Sequence, residues 1–200
     1  MTIANWLNVS PTAGSGDGVV SISSKAEYTG REARSTILTW TAANVSDVKR
    51  TVNQAGKPEH VTMPAAVAVE KTGKMVTISG VSNSKKLTFS LGKNDIGITL
   101  LNNYIVNGAV AESGVAISGD PGATAAYDFS IEVSVPFNSS TTEKVTQLIV
   151  TDNGGNRATC TITSAAGDAF VTIAEGDINL DYLGTSVAVQ VRSNTSWSIS

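Results

Sequence analysis

One cysteine and one histidine occur in 200 residues, and each scarcity excludes chemistry. A single thiol, Cys160, can form neither an intrachain disulfide nor a cysteine zinc cluster. It alternates with threonines in Ala158-Thr159-Cys160-Thr161-Ile162, the pattern of a small buried apolar residue on a strand. The single histidine, His60, falls in Lys57-Pro58-Glu59-His60, which reads as an exposed linker, so no nucleophile–base pair is expected. Asp120, Asp128 and Glu132 form no cluster and read as solvated carboxylates. No calcium loop of the D-x-[DN]-x-[DN]-G type is present, and the glycine-rich stretches lack the helix and lysine of a phosphate loop. The expectation is no enzyme, no metal and no cofactor.

Charge is also scarce. Asp, Glu, Lys and Arg make up 16% of the chain and the net charge is −3, which offers no attraction to nucleic acid or to an anionic membrane. No apolar run approaches the ~18 residues of a membrane span. Met1-Thr2-Ile3-Ala4-Asn5-Trp6 has neither a basic nor an apolar leader region, so a chain made and kept in a cytoplasm until it joins a larger particle is expected.

What the sequence has is β-pattern. No segment carries a helical apolar stripe, while short apolar–polar alternations recur between turn residues. Strands are predicted over 6–10, 19–23, 35–41 and 48–54. A second run follows over 66–70, 75–79, 87–91, 98–106, 115–118, 127–135, 145–151 and 158–163. Asp152-Asn153-Gly154-Gly155-Asn156 marks a tight hairpin. Near the end Val187, Val189 and Val191 alternate with small or polar residues, then Ser193-Asn194-Thr195-Ser196 turns and Trp197-Ser198-Ile199 starts another strand. The fold class is all-β, with immunoglobulin-like sandwiches.

The pattern repeats within the chain. Ser82-Asn83-Ser84 recurs as Ser193-Asn194-Thr195, Asn103-Tyr104-Ile105 matches Asn5-Trp6-Leu7, and Thr161 to Gly167 resembles Arg50 to Gly56. Gly119-Asp120-Pro121-Gly122, a β-turn, takes the place of Gly14 to Gly18. Residues 1–57 therefore read as the back part of a repeat, 62–168 as a whole repeat, and 169–200 as a front part.

Ser193-Asn194-Thr195-Ser196-Trp197, Trp6-Leu7-Asn8-Val9-Ser10-Pro11 with Gly14 and Gly16, Arg34, and Gln54-Ala55-Gly56 together resemble the BACON domain. This immunoglobulin-like sandwich family is common in Bacteroidetes proteins and in the crAss-like phages that infect them. The middle repeat departs from the pattern, with Tyr104 in place of the tryptophan. The resemblance implies a non-enzymatic structural protein of a phage virion, in head decoration or a fibre, with other virion proteins as partners; the split of the repeat between the two ends implies copies of itself, head-to-tail, as further partners. The alternative it implies is a module binding cell-surface glycans or mucin, with Trp40 and Tyr28 as the candidate contacts. Trp6, Leu7, Trp197, Ile199, Val187, Val189 and Val191 are expected to build the core and assembly surface, with Trp6 and Trp197 as a buried pair. Three arrangements satisfy the split: strand complementation between subunits, closure of both ends of one chain, or a piece of a longer tandem array.

Overall fold

The computed structural model describes residues 3–173, 176–184 and 186–200. The chain opens with two antiparallel ribbons: β1 (Leu7–Ser10) against β2 (Ser21–Ser24), and β3 (Arg34–Ala42) against β4 (Val45–Gln54). Nine strands then follow: β5 (Val61–Thr62), β6 (Ala66–Val69), β7 (Lys74–Ser82), β8 (Leu87–Asn94), β9 (Asn103–Val106), β10 (Ala109–Glu112), β11 (Tyr127–Val135), β12 (Lys144–Asp152) and β13 (Arg157–Ser164). A last ribbon pairs β14 (Val171–Ile173) with β15 (Val191–Ser193).

Residues 61–164 form two stacked sheets, ordered β10-β9-β11-β7-β5 and β6-β13-β12-β8. All neighbours are antiparallel except β6 and β13. With β10 set aside, the first sheet has the A-B-E-D strand order of an immunoglobulin sandwich and the second adds C, F and G to a switched first strand. The two-residue alternation dictates this closure. Along β11, Tyr127, Phe129, Ile131, Val133 and Val135 are all buried, while Asp128, Glu132 and Ser134 face outward. Along β12, Leu148 and Val150 are fully buried beside Cys160 and Ile162 of β13. Phe89 bridges the layers, its ring centroid 4.9 Å from Tyr104 and 5.8 Å from Phe129. Burial pushes the Tyr104 phenol up to about 12 and raises the Cys160 thiol, so neither ionises at neutral pH.

The nine residues of β7 run from one pole of this sandwich to the other, roughly 27 Å at 3.4 Å per step. One pole holds the start of β5, the end of β7 and the β12–β13 turn; the other holds the turn after β6, the loop after β11 and the end of β13. The N-terminal ribbons sit at the first pole and β14–β15 at the second.

Several expected strands differ. No strand spans 115–118; Ala116 makes a single bridge to Lys86, because Gly114 and Gly119, at φ 80° and 73°, turn the chain on either side. Residues 98–102 lie outside β9. The Asn94 carboxamide accepts from the amides of Gly97 and Ile98 and donates to the Ile98 carbonyl, which takes these groups out of any ladder. Strand β10 arises after a turn at Asn107-Gly108, both with positive φ. Among the described residues from 176 onward, 191–193 are strand and the others are not. Val187, Val189, Trp197 and Ile199 remain exposed, since no neighbouring strand pairs with their segments.

Phe129→Ala should destabilise the sandwich by about 3–5 kcal/mol, because it removes a fully buried ring from the centre of the aromatic group. Ile37→Ala, on an exposed position, should change stability by less than about 0.5 kcal/mol. Denaturant unfolding of both variants checks the contrast.

Candidate functional site

The polar features of the molecule concentrate where one module meets the next, and they are built from the Ser82-Asn83-Ser84 motif at the end of β7. The Asn83 side chain is fully buried. Its Oδ1 accepts from the His60 amide at 2.9 Å, while Nδ2 donates to the carbonyls of Lys57 (3.1 Å), Pro58 (3.2 Å) and Thr29 (3.3 Å). Ser82 Oγ donates to the His60 carbonyl at 2.7 Å and accepts from the Ser84 amide at 3.0 Å. The Lys57 amide closes the ring on the Gly30 carbonyl at 2.8 Å. One carboxamide therefore satisfies the backbone of the linker and of the preceding module together. The segment 57–60, expected to be an exposed linker, is a clasped one: His60 is half-buried, and its backbone is held on both sides.

Around this clasp lies an ionic contact. Arg31 donates to both oxygens of Asp120, at 3.0 and 2.5 Å, and to the Asn83 carbonyl at 3.2 Å, with Glu59 3.9 Å from its Nε. This forked pair holds the Asp120 carboxyl below the ordinary carboxylate range and raises the Arg31 guanidinium. Asp120, expected to be a solvated carboxylate in a plain turn, is instead the anchor of the junction. It caps a 3₁₀ turn (Pro121–Ala123) in the left-handed region at φ 41°. The amides of Arg31 and Glu32 donate to Gly122 and Ala123, so the two backbones lie in direct contact. A Cβ on Gly30 would come within 2.5 Å of the Thr124 backbone, which explains glycine there.

The same clasp occurs at the opposite pole. Asn194 Oδ1 accepts from the Phe170 amide at 3.0 Å, and its Nδ2 donates to Asp168 and Ser139, both at 2.9 Å. Ser193 Oγ donates to the Phe170 carbonyl at 2.9 Å and accepts from the Thr195 amide at 3.0 Å. The Gly167 amide reaches the Ser140 carbonyl at 2.7 Å. Each partner at the first junction recurs here 110 or 111 residues on: Thr29 as Ser139, Gly30 as Ser140, Lys57 as Gly167, Pro58 as Asp168, His60 as Phe170 and Asn83 as Asn194. Strand register agrees. The pairs Arg34–Gln54 and Lys144–Ser164 are offset by 110 residues at both members, and Val61–Ser82 becomes Val171–Ser193 by 110 and 111. Ribbon β3–β4 thus corresponds to β12–β13, and β14–β15 to β5–β7. The one-residue difference from the match of Thr161–Gly167 to Arg50–Gly56 expected from sequence sets Gly167 over Lys57 rather than Gly56.

Of the residues singled out in the sequence, Trp6, Arg34 and Gln54 come together. The Arg34 guanidinium carbon lies 4.4 Å from the Trp6 ring centre and 4.1 Å from that of Tyr28, and its Nε donates to Gln54 Oε1 at 2.9 Å. Leu7, next to Trp6 in the chain, is buried. Tyr28, a candidate glycan contact, spends its ring on Arg34 and its hydroxyl on the Ala123 carbonyl across the junction. Trp40, the other candidate, is 39% exposed on the face it shares with buried Leu38. Trp6 and Trp197 do not form a pair within this chain, because their modules occupy opposite poles of the sandwich. Trp197 and Ile199 instead line an open apolar cup of about 520 Å³ with Val171, Ile173, Val189 and Val191. Val187, also expected in this core, is 49% exposed. Sequence reasoning missed Arg31, Asp120 and Gly30; the only hint was that two charged residues of opposite sign each sit beside a glycine.

The class defined by this architecture is an immunoglobulin-like β-sandwich flanked by two-stranded ribbons, β3–β4 and β14–β15 repeating its pairing register, with an asparagine clasp at each pole. No family model and no curated protein matches the sequence. A solved structure, zebrafish RET cadherin-like domains 1 to 4, is similar at 10% identity and a TM-score of 0.33 over 82% of this chain. The chain spans 41% of that structure's length. Among the described residues no group of three or more His, Cys, Asp or Glu is placed to hold a metal, and no helix is long and apolar enough to cross a membrane.

Asn83→Ala should loosen the first junction by about 3 kcal/mol, since it strands several buried backbone groups, whereas Asn194→Ala, on exposed surroundings, should cost about 1 kcal/mol or less. Hydrogen exchange at residues 57–60 and 167–170 reads both. Asp120 has a depressed pKa in the folded state, so its contribution is present at neutral pH and is lost as pH falls through and below the usual carboxylate range. Exchange at residues 28–32 should accelerate on that acidification, and Asp120→Asn should remove the pH dependence.

Proposed function

We propose that the protein is a non-enzymatic structural element, a building block that assembles through immunoglobulin-like modules stacked end to end. The observation that carries this reading is the recurrence of one asparagine clasp at both poles of the whole module: an amide accepted from His60 or Phe170, and carbonyls of Thr29 and Pro58 or of Ser139 and Asp168 bound in return. A carboxamide of one module that satisfies the linker and the preceding module at once fixes their orientation, as suits a spacer or scaffold. The burial of Ser82 and Asn83 against the linker, rather than in a cleft, favours the same role.

The partial modules complement each other in content. Ribbons β1–β2 and β3–β4 supply the back strands of a sandwich, and β14–β15 with the segment after it supplies the front strands. The partner under this reading is a further copy of the chain, added head-to-tail by strand complementation. The setting follows from the BACON resemblance alone: a phage particle, as head decoration or fibre, in contact with other virion proteins.

Light scattering on the 200-residue chain across a wide concentration range tests the assembly. Species growing in steps of 20.6 kDa, abolished by deletion of residues 186–200, are the expected result. A single 20.6 kDa species at every concentration would count against it. Binding to a broad glycan array, lost on Trp40→Ala, would move the assignment to a glycan-binding module.

A further inference from the structure

We propose, on the structural reading above, that the segment Trp197–Ile199 of one copy pairs antiparallel with β3 of a second copy in one fixed register, with Ile199 opposite Trp40 and Ser198 opposite Thr41. The cup at the C-terminal pole is then the receptor for the N-terminal ribbons of the next chain.

The whole module supplies the template. There β8 lies against β12 with Phe89 opposite Val150, Thr88 opposite Thr151 and Leu87 opposite Asp152. The shared hairpin register places Val150 over Trp40, 110 residues earlier; Thr41 follows as the equivalent of Thr151 by sequence, at the point where the β3–β4 register shifts by one residue between Trp40 and Ala42. On the other strand, the apolar alternation Leu87-Thr88-Phe89 is met by Trp197-Ser198-Ile199, each 110 residues later, with the turn after Asn194 one residue shorter than the turn after Asn83.

The faces agree with the register. Phe89 and Val150 point into the core, at 8% and 0% exposure, whereas Trp40 and Ile199 stand 39% and 86% exposed. Pairing as proposed turns both inward, onto Val191 and the other walls of the cup. A slip of one residue would instead turn Trp197 and Ile199 to solvent. The occupant is a second copy because the receptor and the ribbons belong to opposite poles of the same sandwich, about 27 Å apart by the length of β7. The relation required between the C-terminal piece and the incoming ribbons is one the chain already contains: the whole module meets its preceding ribbons through the same clasp that joins the C-terminal piece to it.

Directly opposed residues on antiparallel strands have Cα atoms ~4.5–5.5 Å apart, within reach of a disulfide. The test mixes two single-cysteine variants, Thr41→Cys and Ser198→Cys, under mild oxidation at a concentration where scattering shows association. Each mixed bond joins one copy of each variant, so closure within one chain cannot produce it. Cys160, fully buried, stays silent. The expected product is a covalent dimer that appears in the mixture, is at least ten-fold weaker in either variant alone, and is at least ten-fold weaker when Ser35→Cys replaces Thr41→Cys six residues along the strand. Association without the Thr41–Ser198 bond, or with equal bonding at Ser35, overturns the register while leaving a structural role standing. Absence of association at any concentration overturns both.

Discussion

A single carboxamide decides how this molecule is put together. Asn83 has two N–H donors and an acceptor oxygen, and the fold uses all of them on backbone groups that no sheet could satisfy: the oxygen on a linker amide, and the two N–H groups, one of them shared, on two linker carbonyls and a carbonyl of the preceding module. Burying those groups without partners would cost more than the packing of such a short linker returns. The clasp is thus what makes a tight junction admissible, and the Arg31–Asp120 fork and the absence of a side chain at Gly30 follow as the means of bringing two backbones together around it.

The polar junction contrasts with the apolar interior it adjoins. Within the whole module the core needs no polar specificity, because alternation along β11 and β12 assigns every side chain a face. At the junction, apolar contact would permit sliding. Directional hydrogen bonds do not, and that accounts for the polar character of the contact between modules that must keep one orientation.

How much of this was legible depended on whether the controlling interaction was local. The span Tyr127–Val135 was readable to the residue, because strict alternation and flanking turns act over neighbouring positions. The double occurrence of Ser-Asn-Ser/Thr also stood out, though not its meaning: nothing local to Asn83 says that its side chain would cross to Thr29. Strands failed where a long-range partner decided the outcome. Residues 187–190 have a strand's pattern but no neighbouring strand, and 115–118 are cut short by two left-handed glycines. The Arg31–Asp120 pair was invisible for the same reason, since its members are 89 residues apart.

The parallel contact of β6 with β13 has a mechanical corollary. Tension drawn through the two clasped poles pulls β6 toward one and β13 toward the other, so the register pairs from Thr161–Ala66 to Ser164–Val69 are loaded in shear. Bonds loaded side by side share the force, whereas bonds opened in sequence yield one at a time. A column of such modules would therefore resist stretching at the β6–β13 pair of each module.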